Sequence, residues 1–338
     1  MKIDSGVFLE ATELPEAVKT IESLGFDGIY TLEGPNDPFI SATVAATSSQ
    51  DLTIMTSIAV AFARNPMNLA YIGNDLQNLS KGRFILGLGT QVKSHVEHRF
   101  SMPWGKPVAR MRDMVLAIRA IWDSWQTGER LNYQGEYYHH TLMVPTFMPK
   151  PNPYGPPKIY LAGVGPKMTA MVGELADGYF VHPFGSKKSL DELTMPALQA
   201  GFDKAGRDGK GFDIAAQIMT ATGLDSQQMD EAIASARNQI AFYGSTPAYL
   251  PVLEVHGWGD MHLEWKQMVK ENRWGDMASS VTDDMLHAFA TVGTPEEVAK
   301  QIVERSDGRL QRVSPVVYKS EPKVLGALAK AISSEIAG

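Results

Sequence analysis

Residues 3–32 read Ile3-Asp4-Ser5-Gly6-Val7-Phe8-Leu9, then Glu10-Ala11-Thr12-Glu13-Leu14-Pro15-Glu16-Ala17-Val18-Lys19-Thr20-Ile21-Glu22-Ser23-Leu24, then Gly25-Phe26-Asp27-Gly28-Ile29-Tyr30-Thr31-Leu32. The first seven form an apolar run of strand length. Thr12 can cap a helix over 13–24, with Pro15 tolerated in its first turn and Gly25 as its stop. Leu14, Val18, Ile21 and Leu24 fall on one stripe of that helix, which therefore has a face to bury. Residues 27–32 form a second apolar run. Strand, helix and strand in about thirty residues is the unit from which parallel sheets are built.

The alternation continues along the chain. Apolar runs at 52–60, 83–88, 158–162, 178–182, 212–220 and 313–318 predict strands three to eight. Helical patterns at 39–47, 66–79, 108–125, 167–175, 190–205, 227–243, 295–305 and 322–336 lie between and after them. Eight such units predict an α/β fold, a (β/α)8 TIM barrel formed as one domain over 1–338. About 250 residues is usual for that fold, and insertions account for longer chains. Two insertions are expected here. Residues 128–157, rich in Tyr, His and Pro, follow unit four and are expected to form part of a lid. Residues 244–280, with Trp258, Trp265 and Trp274, enlarge unit seven. An open doubly wound sheet would need a glycine fingerprint after the first strand. Glu10-Ala11-Thr12-Glu13 has no glycine there.

Composition narrows the function. With 31 basic and 38 acidic residues the net charge is −7. Nucleic-acid binding needs a basic footprint that this balance does not offer. The absence of cysteine excludes disulfides, a thiolate nucleophile and Cys metal sites. No apolar stretch approaches the roughly 18–20 residues of a membrane span. Met1-Lys2-Ile3-Asp4-Ser5 lacks a signal-peptide pattern, so a cytoplasmic setting is expected.

In a TIM barrel, chemistry collects at the C-terminal ends of the strands. After strand two stand Glu33 and Asp37. Two carboxylates there could transfer protons, although Asp37 also reads as the cap of a helix opening at Pro38. After strand four come Gly89 and Thr90, then His95, Glu97 and His98, whose spacing matches no standard zinc motif. After strand five, Ala162-Gly163-Val164-Gly165-Pro166 leads into a helix. Its free N–H groups and helix dipole would suit an anion. At the end of strand six, His182 could donate a proton or contact a ligand. His139 and His140 face opposite ways on an extended segment, so shared use is not expected. Trp104, between Pro103 and Gly105, reads as a lid residue. A metal-dependent barrel hydrolase would commonly carry His-x-His after strand one, where this chain has Phe8-Leu9-Glu10.

Five blocks then converge. They are Gly25-Phe26-Asp27-Gly28-Ile29-Tyr30; residues 56–66 around Ser57-Ile58-Ala59-Val60; Lys81-Gly82-Arg83-Phe84-Ile85-Leu86-Gly87-Leu88-Gly89; Ile159-Tyr160-Leu161-Ala162-Gly163-Val164-Gly165-Pro166 with Ala176-Asp177-Gly178; and Val292-Gly293-Thr294-Pro295-Glu296-Glu297-Val298. Together, in this order, they resemble the luciferase-like flavin and deazaflavin oxidoreductases, most closely the branch that uses coenzyme F420. The resemblance implies a hydride transfer between F420 and a small organic substrate. It implies a non-prolyl cis peptide at Ser57-Ile58, with Ser57, Ile58 and Ala59 supporting the ring and Gly89 and Thr90 beside it. It also implies that Ala162, Gly163, Val164 and Gly165 cradle the phosphate, and that the acidic tail runs past Lys167, Lys187 or Lys188. Glu33 or His182 would then manage the proton. Relatives often carry an acid followed by His at the strand-two position. Glu33 matches the acid, but Gly34 stands where the His would be. A carboxylate present in some relatives just after strand four is replaced by Val92. Three further expectations follow from the family: FMN with oxygen as an alternative chemistry, a non-catalytic barrel as a possible loss of function, and homodimerisation.

Overall fold

The structure is a computed structural model that describes residues 1–318 and 321–337. Eight parallel strands close into a barrel: β1 (Lys2–Gly6), β2 (Gly28–Thr31), β3 (Thr53–Thr56), β4 (Phe84–Gly89), β5 (Lys158–Ala162), β6 (Gly178–Val181), β7 (Asp213–Ala221) and β8 (Arg312–Val317). Each pairs with the next, and β8 returns to β1 through Lys2↔Arg312 and Ile3↔Val313. Closure gives each of these eight strands a partner on both sides. Ala290–Val292 adds a short parallel strand on the far end of β7.

The predicted helices form in place, with ends shifted by a residue or two and one larger change. The segment expected at 190–205 is α-helical over Met195–Ala205 and enters through a π turn at Leu190–Thr194. Pro38–Ser48 opens as expected, with the Asp37 carboxylate accepting the Phe39 N–H at 2.8 Å. Thr294 and Glu297 form a capping box at Pro295–Ser306. Thr12 does not cap the first helix. That helix starts at Leu14, and Glu13 reaches back to the Glu10 amide instead.

Three further expectations are corrected by packing. Strand one ends at Gly6, so Phe8 and Leu9 leave the sheet and stand exposed at the mouth. The third run is broken: β3 ends at Thr56, a cis peptide joins Ser57 to Ile58, and Ala59–Val60 then pairs with the end of β4. Residues 128–157, expected to form part of a lid, line neither cavity at the barrel mouth. They carry a small hairpin, Tyr133–Gln134 against His139–His140, clamped to the flank helix Pro107–Thr127. Asp113 of that helix accepts the amides of Tyr137 and Tyr138 at 2.5 and 2.9 Å and is bonded by the Tyr133 hydroxyl. One buried carboxylate thus anchors the hairpin, while Asn152, bonded to Asn74 and Gln126, ties down the end of the insertion.

Inside the barrel, Tyr30, Met55, Ile85, Tyr160, Phe180 and Ala215 make a separate apolar cluster, with Ile58 and Ala162 packed on it. Below them Asp4 and Arg312 form a bidentate ion pair at 2.5 and 2.8 Å, nearly out of reach of solvent. The bulky rings need room, and Gly87 supplies it. A Cβ there would lie 1.7 Å from the Thr56 carbonyl oxygen and 2.7 Å from the Phe180 ring.

Candidate active site

One cavity of about 790 Å³ opens at the C-terminal ends of β3 to β7. This is the face where barrel enzymes place their chemistry, and the volume suits a cofactor-sized ligand. Ser57, Ile58, Gly89, Thr90, Ala162, Gly163, Val164, Gly165, Lys167, His182 and Trp104 all line it. Of the residues expected to support the ring or manage the proton, Ala59 and Glu33 do not. Ala59 is fully buried, paired with Leu88 behind the bulge. Glu33 is drawn away from the cavity by its partners.

Glu33 makes three contacts. Its Oε2 accepts the Val60 N–H at 2.6 Å and the Arg64 Nη1 at 2.7 Å, while its own N–H donates to the Ile58 carbonyl. Arg64 Nη2 reaches Asp37 at 2.7 Å. The Glu33 side chain is 6% exposed, and one of its oxygens holds both the guanidinium and the amide. It ties the loop after β2 to the bulge after β3. Outside the cavity, Glu33 is a positioning residue in this geometry.

The cavity floor is the bulge itself. Gln217, on β7, donates from Nε2 to the Ser57 hydroxyl at 3.1 Å. With its oxygen already accepting, the Ser57 hydroxyl has its proton available for something above it. The Thr90 hydroxyl donates to the Gln91 carbonyl at 3.0 Å, so it can offer a ligand only lone pairs. Trp104 meets Phe62 edge-on at 5.7 Å and closes one side.

The loop after β5 is shaped for an anion. Gly165 has φ +87°, a conformation that side chains with a Cβ rarely adopt, and it turns the chain into the helix Pro166–Leu175. The first-turn amides at Lys167 and Met168 have no acceptor within the helix and face the same end as its dipole. The Gly163 carbonyl is held from behind by the Tyr179 hydroxyl at 2.6 Å. Lys167 stands exposed on the rim. Lys187 and Lys188 do not line the cavity. Lys187 pairs with Asp191 and Asp307, and Lys188 lies 4.0 Å from Glu192.

His182 is half-buried beneath Tyr249, with ring centroids 4.5 Å apart and planes nearly parallel, and it meets Tyr243 edge-on. Its Nδ1 accepts the Phe184 N–H at 3.1 Å. The proton of the neutral ring therefore sits on Nε2. Desolvation pushes the imidazole down to about 4, so it is uncharged at neutral pH. It can donate a hydrogen bond from Nε2 but is a poor source of a full proton. A consequence for stability follows. The unfolded chain binds a proton at His182 below pH 6.5 while the folded chain waits until about 4, so stability is lost as pH falls through that window. At pH 4.5 the native protein should have lost about 2–3 kcal/mol that a His182→Phe variant retains, as read from urea midpoints at pH 7 and 4.5.

Gln217, Phe180, Thr246, Ala248 and Tyr249 also line the cavity and were not anticipated. The signal for Gln217 was its place as a lone polar residue in Ala215-Ala216-Gln217-Ile218. Thr246 to Tyr249 lie in the seventh-unit insertion, where no periodicity announces a role. His95, Glu97 and His98 sit in or beside a π turn at His95–Arg99, and among the described residues no group of three or more His, Asp or Glu could hold a metal ion. Among those residues no helix is long and apolar enough to cross a membrane.

A family model described as luciferase-like monooxygenase matches residues 4–312, from β1 to the start of β8. The chain belongs to the luciferase-like monooxygenase family. This luciferase-like barrel is 46% identical over 327 residues to an uncharacterized protein of Mycobacterium tuberculosis, covering 97% of this chain and 96% of that one. It is 29% identical over 310 residues to the 5,10-methylenetetrahydromethanopterin reductase of Archaeoglobus fulgidus, covering 89% and 88%. The solved structure of the coenzyme F420 dependent tetrahydromethanopterin reductase from Methanopyrus kandleri superimposes with a TM-score of 0.82 at 20% identity, over 98% of both chains.

Proposed function

We propose that this luciferase-like protein is an F420-dependent oxidoreductase acting on a small organic substrate. The observation that carries the reading is that one cavity joins three features: the Ser57-Ile58 bulge, the glycine loop at 163–165 and the rim cation Lys167. The Archaeoglobus relative, a reductase by name, favours reductase chemistry over oxygen chemistry.

Bound F420 would supply two-electron hydride transfer. The chain's own residues hold and shield it. Ile58 presents an apolar surface to a flat ring, and Ser57, fixed by Gln217, offers it a hydroxyl proton. The amides of the helix Pro166–Leu175 and its approach loop receive the phosphate. Lys167 meets the carboxylates of the tail. His182 offers a neutral N–H to the ligand, and Trp104 and Tyr249 keep water out.

FMN would fit the same phosphate loop, which is why the loop alone does not choose. Separate titrations decide. F420 should bind at micromolar concentration, and Lys167→Ala should weaken it about fivefold, the worth of one exposed ion pair. FMN has no tail carboxylates and should be indifferent to that change. Tighter binding of FMN, with oxygen uptake when it is reduced, would favour the monooxygenase reading and defeat this one.

A further inference from the structure

A second chamber of about 400 Å³ lies behind the phosphate loop. Residues 163–166, His182 and Tyr249 contribute to both it and the main cavity, so the stacked His182–Tyr249 pair is a shared partition. Phe184, Leu193, Ala197 and Val252 line this chamber and not the main cavity. They lie between the helices Pro166–Leu175 and Met195–Ala205 and the insertion of unit seven.

Its chemistry is unlike that of the first cavity. Three of the five hydroxyls that line it are engaged within the chain. Tyr179 donates to the Gly163 carbonyl at 2.6 Å, Thr169 to the Gly165 carbonyl at 3.1 Å and Ser189 to the Ser186 carbonyl at 3.0 Å. Its one charged lining residue is Glu192, and neither Lys nor Arg lines it. A phosphate or a carboxylate tail reaching past the loop would meet the like charge of Glu192 and no side-chain cation to offset its desolvation. An uncharged apolar group meets side chains of its own kind.

We infer that this chamber binds a neutral aliphatic chain, independent of which cofactor fills the main cavity. If each non-hydrogen atom takes roughly the 30 Å³ of a liquid water, there is room for about a dozen. The chain is either the tail of the substrate, with its reactive end beyond the His182–Tyr249 partition, or a separate apolar ligand.

Calorimetric titration of the full-length protein with straight-chain 1-alkanols from butanol to dodecanol tests this. Affinity should rise roughly three- to fourfold per methylene until the chamber is full. Ala197→Phe and Val252→Phe fill it from opposite sides. Either should weaken decanol by tenfold or more while changing the F420 dissociation constant by less than twofold. If Ala197→Phe fails to fold, Val252→Phe serves alone. An affinity independent of chain length overturns the inference, as does displacement of decanol by F420 or by inorganic phosphate. Decanol binding unchanged by a folded filling variant does the same. Loss of the F420 absorbance on adding decanol would mark the chain as substrate, and binding without that change would mark a separate ligand. Binding of decanol together with failure to bind F420 would defeat the proposed cofactor and leave the chamber's assignment standing.

Discussion

Arg64→Ala should destabilise the fold by about 3–5 kcal/mol, the range for removing one partner of a buried ion pair. Arg64 and Glu33 side chains are 14% and 6% exposed, so the carboxylate left behind has little access to water. It would keep only the Val60 amide at 2.6 Å. The bulge and the loop after β2 would lose their common anchor, and affinity for F420 should fall along with stability. Glu33→Gln in the same chain removes the stranded charge. The double variant should therefore recover a substantial part of the lost stability in urea denaturation. A double variant no more stable than Arg64→Ala would mean that the charge is not the cause. Full retention of stability in Arg64→Ala would show that the trio is ornamental.

Gly87→Ala should cost about 3 kcal/mol or more, at the upper end of what overpacking a core produces. The added carbon would fall 1.7 Å from a backbone oxygen, which has no rotamer through which to escape. Nor can the strand slide aside easily. Thr56 Oγ1 donates to the Gly87 carbonyl at 2.8 Å and accepts the Gly87 amide at 2.9 Å, so β3 grips this residue from both sides. The other near neighbour is Phe180, which lines the cavity, and ligand binding should be disturbed in step. Circular dichroism during thermal melting reads the first effect and F420 titration the second. A variant that melts with the parent would show that the barrel relaxes far more than close packing allows.

The alternation of strands and helices was legible because each helix announces itself by an apolar stripe and a terminal signal, as at Asp37-Pro38 and Thr294-Pro295. The glycine loop and the floor residues were legible only as a set of blocks in order. What escaped did so for physical reasons. Apolar character marked Phe8 and Leu9 as strand, yet they sit at a rim where apolar side chains are tolerated. Hydropathy has no symbol for the reversal at Ser57-Ile58, so the third run read as unbroken. Glu33 carries the same formula whether it donates protons or answers Arg64, and only three-dimensional proximity separates the two. Aromatic and proline content made 128–157 resemble a lid. The tether of its hairpin, Asp113, lies within a helix whose sequence gives no hint of that hairpin. Tyr249 and Gln217 matter through where the fold carries them.

The bond from Gln217 to Ser57 runs between β7 and β3, four strands apart and hence on opposite sides of an eight-strand ring. It acts as a tie-rod across the bore. A ring resting on this floor would be supported from both sides of the bore at once. Any breathing needed to admit and release ligands then falls to Trp104 and to the segment carrying Tyr249. Changes in what the protein accepts are best sought in those two places, with the tie-rod left untouched.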